Sequence, residues 1–110
     1  MLYFVTTDSA SAPQVTPQEL ASIVEHMVIP SIEALSKLLA DKKILAGGIP
    51  VGARQHVFIV EADSNDEVVE ILQNLPFYIL HKWEVTPLES WEHHTAFVRR
   101  LAEQLKAASH

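Results

Sequence analysis

Residues 75–88 read LPFYILHKWEVTPL, and this stretch decides how the rest of the chain folds. Pro76 breaks whatever precedes it, aromatic and β-branched side chains fill the next ten positions, and Pro87 closes the run. Such a segment reads as a strand with defined ends. Alternation puts Ile79, His81, Trp83 and Val85 on one face and Leu80, Lys82, Glu84 and Thr86 on the other. One apolar face and one mixed face suit a strand lying between a helical layer and a second, more polar contact surface.

Upstream, Leu2 to Thr7 (LYFVTT) is a strand at the very start, followed by a small-residue polar loop over Asp8 to Val15. Thr16 and Pro17 then read as N-cap and first helical residue, with Glu19 completing a capping box. The helix they open runs to about Lys43, and Leu20, Val24, Met27, Leu35 and Leu38 lie on its apolar stripe. Pro30 interrupts it, because proline removes a hydrogen bond and crowds the preceding turn, so a kink or short break is expected near Val28 to Ser31. Ile44 to Val51 forms a second strand bent or bulged at Gly47-Gly48. After a turn over Gly52 to Arg54, Gln55 to Ala62 forms a third, with His56, Phe58 and Val60 sharing a face. A short helix to about Asn74 leads into the opening stretch. Downstream, Ser90 caps a last helix to about Ala107, with Trp91, His94, Thr95, Val98, Leu101, Ala102 and Leu105 on its inner side.

The order β-α-β-β-α-β defines an α+β, ferredoxin-like fold with an extra C-terminal helix, in one domain spanning residues 1–110. Two helices cover one face of the four-stranded antiparallel sheet. The other face, carrying apolar residues of its own, calls for burial by a second subunit.

The segment LPFYILHKWEVTPL resembles the last strand of the muconolactone isomerase-like proteins, in which a leucine-proline pair and an aromatic lead into a Glu-Val-x-Pro-Leu type ending. The resemblance runs back through Gly47 to Leu75 and, more loosely, to Met1 to Thr7. It implies a dimeric α+β barrel, closed by two sheets across a homodimer or within a larger homo-oligomer. It also implies an isomerase that moves a proton on a lactone-like or aromatic-derived small molecule, without a cofactor. Glu84 matches the glutamate of the family segment, and Glu33 falls near a helix glutamate in a looser alignment. One departure stands out. The family's second strand is rich in tryptophan, arginine and histidine, whereas Ile44 to Ile49 reads ILAGGI and offers no polar side chain. Enolate stabilisation would then fall to Arg54, to His56 or to the backbone, which points to a relative with the same scaffold and a different ligand.

Composition narrows the field further. A formal charge of −6 with no basic cluster argues against nucleic acid, which demands neutralised phosphates. The chain has no cysteine, which excludes disulfides, thiolate metal sites and cysteine nucleophiles. No apolar run is long enough to span a membrane, and Met1 leads straight into a strand rather than a signal peptide, so the cytoplasm is the expected compartment.

Six histidines invite a metal reading, but their spacing gives no metal site. His93 and His94 point about 100° apart on a helix, His110 is terminal, and His26 falls opposite the apolar stripe. His56 and His81 differ, each lying inside a strand of otherwise buried residue types. They are either core or interface histidines satisfied by hydrogen bonds, or general acid-base groups in a pocket between sheet and helices. The candidate catalytic residues are therefore His56, His81 and Glu84. Trp83, Arg54 and Tyr3 are the candidate substrate-binding residues, and each aromatic among them has plain core packing as its alternative. Two other functions compete with the isomerase: a cofactor-independent dimeric-barrel monooxygenase, and a non-catalytic binding or assembly module.

Overall fold

The computed structural model describes residues 1–9 and 14–109. The loop expected over Asp8 to Val15 falls in part on residues 10–13, outside the described residues, as does His110. Four strands, β1 (Leu2–Ser9), β2 (Ile44–Gly48), β3 (Gln55–Glu61) and β4 (His81–Leu88), form one antiparallel sheet in the order β2-β3-β1-β4. Helices α1 (Pro17–Ile23), α2 (Ile29–Ala40) and α3 (Asn65–Gln73) complete the β-α-β-β-α-β unit, and α4 (Trp91–Ala108) follows.

Alternation along the strands sorts the sheet into two faces. Tyr3, Val5 and Thr7 of β1 and His56, Phe58 and Val60 of β3 are all buried, whereas Phe4 is 40% exposed. Register then assembles rows across the buried face, because residues paired between neighbouring strands share a side. Phe58, Val5 and Val85 form one row, and His56, Thr7 and Trp83 the next. Val68 and Leu72 of α3 and the aromatic ring of Phe77 close the core over these rows.

The long first helix behaves as its sequence demands, with one shift. Thr16 caps it, its hydroxyl accepting from the Glu19 N–H at 3.1 Å. The interruption is a π-helical turn over Val24–Val28, one turn earlier than expected from Pro30. Within it the Ile29 N–H reaches back to the Val24 carbonyl, inserting one residue just ahead of a proline that has no N–H to give. The helix ends at Ala40 rather than Lys43. The Lys43 N–H bonds to the Leu38 carbonyl and the Lys42 N–H to that of Leu39. With Lys42 at φ 60°, this is a Schellman ending in which lysine takes the place usual for glycine.

Two further expectations need correction. Leu75 to Leu80 is not strand. The Tyr78 N–H bonds to the Leu75 carbonyl at 2.9 Å, so Pro76 sits second in a β-turn, where its fixed φ fits, and Tyr78–Leu80 is a 3-10 turn. The bulge in β2 lies between Ile44 and Ala46, ahead of the glycines, and neither glycine has a positive φ. Gly47 answers to a close approach instead: a Cβ there would sit 2.6 Å from the Phe58 Cβ.

The last helix departs most from expectation. Every residue from Trp91 to Ser109 is exposed, so the expected inner stripe covers nothing in its own chain. The radius of gyration is 19.2 Å and the longest dimension 71 Å, against about 13 Å for the radius of a compact domain of this length. Among the described residues no helix is long and apolar enough to cross a membrane.

Candidate active site

The row His56–Thr7–Trp83 ends the buried face on the side where β4 begins. Thr7 is 2% exposed, and its hydroxyl accepts from the His56 backbone N–H at 3.1 Å. Phe77, fully buried, stands over this row with its ring 5.0 Å from that of His56, 4.5 Å from His81 and 6.0 Å from Trp83, each pair edge-on. The two imidazoles lie 5.7 Å apart, centroid to centroid. Edge-to-face contacts at such distances are the favoured arrangement for rings.

The β-turn that displaced the expected strand start is what delivers Phe77. Its backbone is pinned from the helical layer by Ser31, which is completely buried in α2. The Ser31 hydroxyl donates to the Met27 carbonyl at 2.6 Å and accepts from the Phe77 N–H at 2.9 Å. Serine inside a helix often bonds back one turn; here the same oxygen also satisfies a buried donor of another segment. Trp83 is fixed in turn, its indole N–H donating to the Tyr78 carbonyl at 2.9 Å while its ring stacks on Tyr78.

Both imidazoles are biased toward the neutral form. Burial pushes the His56 ring below the ordinary histidine value, and the neighbouring His81 pushes it the same way. Burial also lowers His81, with the backbone and carboxylate of Asp8 opposing. Among the described residues the buried His81 Nδ1 meets no hydrogen-bond partner, and a histidine ring nitrogen can accept or donate one proton. Beside His56 opens a cavity of about 140 Å³ between α2 and the β2 edge, with Ile32, Leu35, Leu39, Gly47 and Gly48 among its walls. The glycines contribute no side chain to its β2 side, which Ile44 and Ile49 also line.

The rings of His56, His81 and Trp83 lie near one another, but of the three only His56 lines the cavity. Glu84 pairs with Thr6 and lies on the opposite, helix-free face with Lys82, so no contact within one chain brings it to the histidines. Arg54 is exposed in the loop before β3. Tyr3 is core, its hydroxyl donating to the Asn65 Oδ1 at 2.9 Å. Glu33 is exposed on α2, and His26 bonds the Ser22 carbonyl on its own helix. His93 and His94 converge on the two carboxylate oxygens of Glu89 at 3.5 and 3.3 Å. Among the described residues no three histidine or acidic side chains gather as metal ligands. Sequence reasoning passed over Ser31 and Phe77. The turn signal at Pro76 could have found Phe77; no sequence feature marks Ser31 apart from its place on a helix face.

The sequence model of a family described as Muconolactone delta-isomerase matches residues 1–95. Two solved structures share the fold. One is 5-chloro-2-hydroxyhydroquinone dehydrochlorinase from Burkholderia phenoliruptrix AC1100 in complex with 2,5-dihydroxybenzoquinone, at 24% identity and TM-score 0.59, covering 84% of this chain and 98% of the other. The second is muconolactone isomerase, at 16% identity and TM-score 0.67, covering 82% of this chain and 90% of the other. No curated protein matches the sequence.

Proposed function

The chain belongs to the muconolactone delta-isomerase family, and on that premise we propose an enzyme that moves a proton on a lactone-like or aromatic-derived small molecule. The observation that carries this reading is a pair of imidazoles whose pKa burial lowers, His56 lining the cavity and His81 with its ring 5.7 Å from that of His56. A base for a carbon acid must be neutral when substrate binds and must reach its proton. His56 lines the cavity and meets both conditions first. His81 is placed to share or relay the proton, and its positive charge would be resisted by its neighbour, favouring quick release. Ile32, Leu35 and Phe58 give the cavity apolar walls for a flat ring, and the dehydrochlorinase, whose complex holds a benzoquinone, is a neighbour of matching substrate type.

A dimer closing through the helix-free sheet face belongs to the same proposal. Glu84 and Lys82 would reach a site only by way of that second subunit. Arg54, at the exposed turn, is the remaining candidate for an anionic substrate group.

The test is to incubate candidate unsaturated lactones and hydroxyquinones with the protein in deuterated water and follow carbon-bound deuterium by NMR. Exchange or isomerisation by the wild type, lost in His56→Gln, is the expected outcome. Oxygen consumption with phenolic substrates would instead mark a cofactor-independent monooxygenase. Binding without turnover would mark a non-catalytic module.

A further inference from the structure

The cavity beside His56 is walled by Ile32, Leu35 and Leu39 of α2 on one side and by Ile44, Ile49 and Phe58 on the other. Of the described residues that line it, two carry a polar side chain, Ser36 from the helical wall and His56 from β3. No residue with a fixed charge is among them. The cations nearest its walls in sequence stand outside the lining: Lys43 pairs with Glu67, and Lys37, Lys42 and Arg54 are exposed. Burial lowers the His56 pKa, so near neutral pH that ring brings no positive charge either.

A carboxylate entering such a site loses water and meets no cation, which strongly disfavours the charged form. An uncharged ring bearing one hydroxyl or carbonyl group finds the opposite conditions. Its body lies against aliphatic walls, and its oxygen has two partners, because a serine hydroxyl and a neutral imidazole can each donate or accept. Size sets the second limit. A cavity of about 150 Å³ lined by leucine, isoleucine and phenylalanine takes up benzene, and this one is about 140 Å³. One ring fits, with its substituents reaching out through the open side.

We infer that this cavity selects an uncharged single-ring ligand bearing a hydroxyl or carbonyl group, held between Ser36 and His56, and discriminates against the matching carboxylate. The inference rests on the cavity being the substrate site of the function proposed above, and it deepens that reading by giving the charge and size of the substrate. The stretch Ile44 to Ile49 is where the discrimination arises, since ILAGGI sets no cation along the β2 wall. A single cation placed there should relax it.

Benzamide and benzoate provide the test, because they share a shape and differ in charge; phenol is the hydroxyl probe. Binding to the full chain is followed at about pH 7.5 by NMR shifts of the Leu35 and Ile44 methyl groups and the His56 ring. Phenol and benzamide should bind, and benzoate about 30-fold more weakly than benzamide. Ser36→Ala should weaken phenol about fivefold. Ile49→Arg, at a position 51% exposed just past the end of β2, should bring benzoate to within about threefold of benzamide. Benzoate that binds the wild type as tightly as benzamide would overturn the inference, and so would benzoate binding that Arg54→Gln abolishes. Probes that shift no cavity resonance, Ser36→Ala without effect on phenol, or Ile49→Arg without gain for benzoate would overturn it too. Deuterium exchange at carbon is read independently of these shifts, so a failure of proton transfer is told apart from a failure of charge selection.

Discussion

Beta-strand β1 and helix α4, the first and last elements, stand at opposite extremes. Tyr3, Val5 and Thr7 are at most 2% exposed, whereas α4 has no buried residue at all. Both were readable as amphipathic. The difference lies in what covers the apolar side: β1 is paired on both edges and roofed by helices of its own chain, while no described residue buries any part of α4. Periodicity tells that an element has a face to bury. It does not tell against what.

The sharpest way to break this contrast is to truncate one large apolar side chain in the core roofing β1 and one on α4. Phe77→Ala should cost about 4 kcal/mol of folding stability, the range for truncating a buried aromatic. Leu105→Ala should leave the stability of the single chain within about 0.5 kcal/mol. Urea denaturation at low protein concentration reads both. Equal losses would mean that α4 packs on its own chain.

A second contrast lies within the β2 edge. Gly47→Val drives a side chain into the Phe58 Cβ and the Val57 carbonyl, at 2.6 and 2.7 Å from the new Cβ, and should cost about 3 kcal/mol. Gly48→Val meets nothing within 4 Å and should be close to neutral for folding, while narrowing the cavity mouth. The two glycines that look alike in sequence are thus expected to differ in kind: one is a packing requirement, the other open space.

A smaller effect separates two serines of α2. Ser31→Ala leaves the Phe77 N–H without its acceptor inside the core and should cost about 2 kcal/mol. Ser36→Ala, at an exposed position, should change stability by less than about 0.5 kcal/mol. Thermal or urea midpoints distinguish them.

These expectations mark where the sequence was legible. Element order and the faces of β3 and β4 followed from alternation and from turn and cap residues, and those faces put His56 on one strand and His81 and Trp83 on another among residue types that are usually buried. The start of β4 did not follow. Aromatic and β-branched residues at Phe77 to Leu80 outweighed the turn chemistry of Pro76, although proline in second position of a turn was the deciding feature. The displaced bulge at Leu45 was hidden because glycine is the usual marker of a bulge, and Gly47 serves a close approach instead. Ser31 was illegible for another reason. Its value comes from a donor 46 residues away, a contact that no local pattern encodes.

The central claim is that His56 and His81 form one proton-handling pair held neutral by burial. It is tested most directly by following the imidazole ring protons of both residues by NMR between pH 4 and 8. The account predicts that both titrate below the ordinary value of 6.5. It also predicts that His81→Gln moves the His56 midpoint upward, because His81 is one of the two causes that lower it. The same depression fixes the sign of the stability change: the unfolded chain takes up protons first, so stability is complete above ~6.5 and falls as the pH drops toward the folded values. Two histidines titrating at the ordinary value, with His56 indifferent to the loss of His81, would contradict the account.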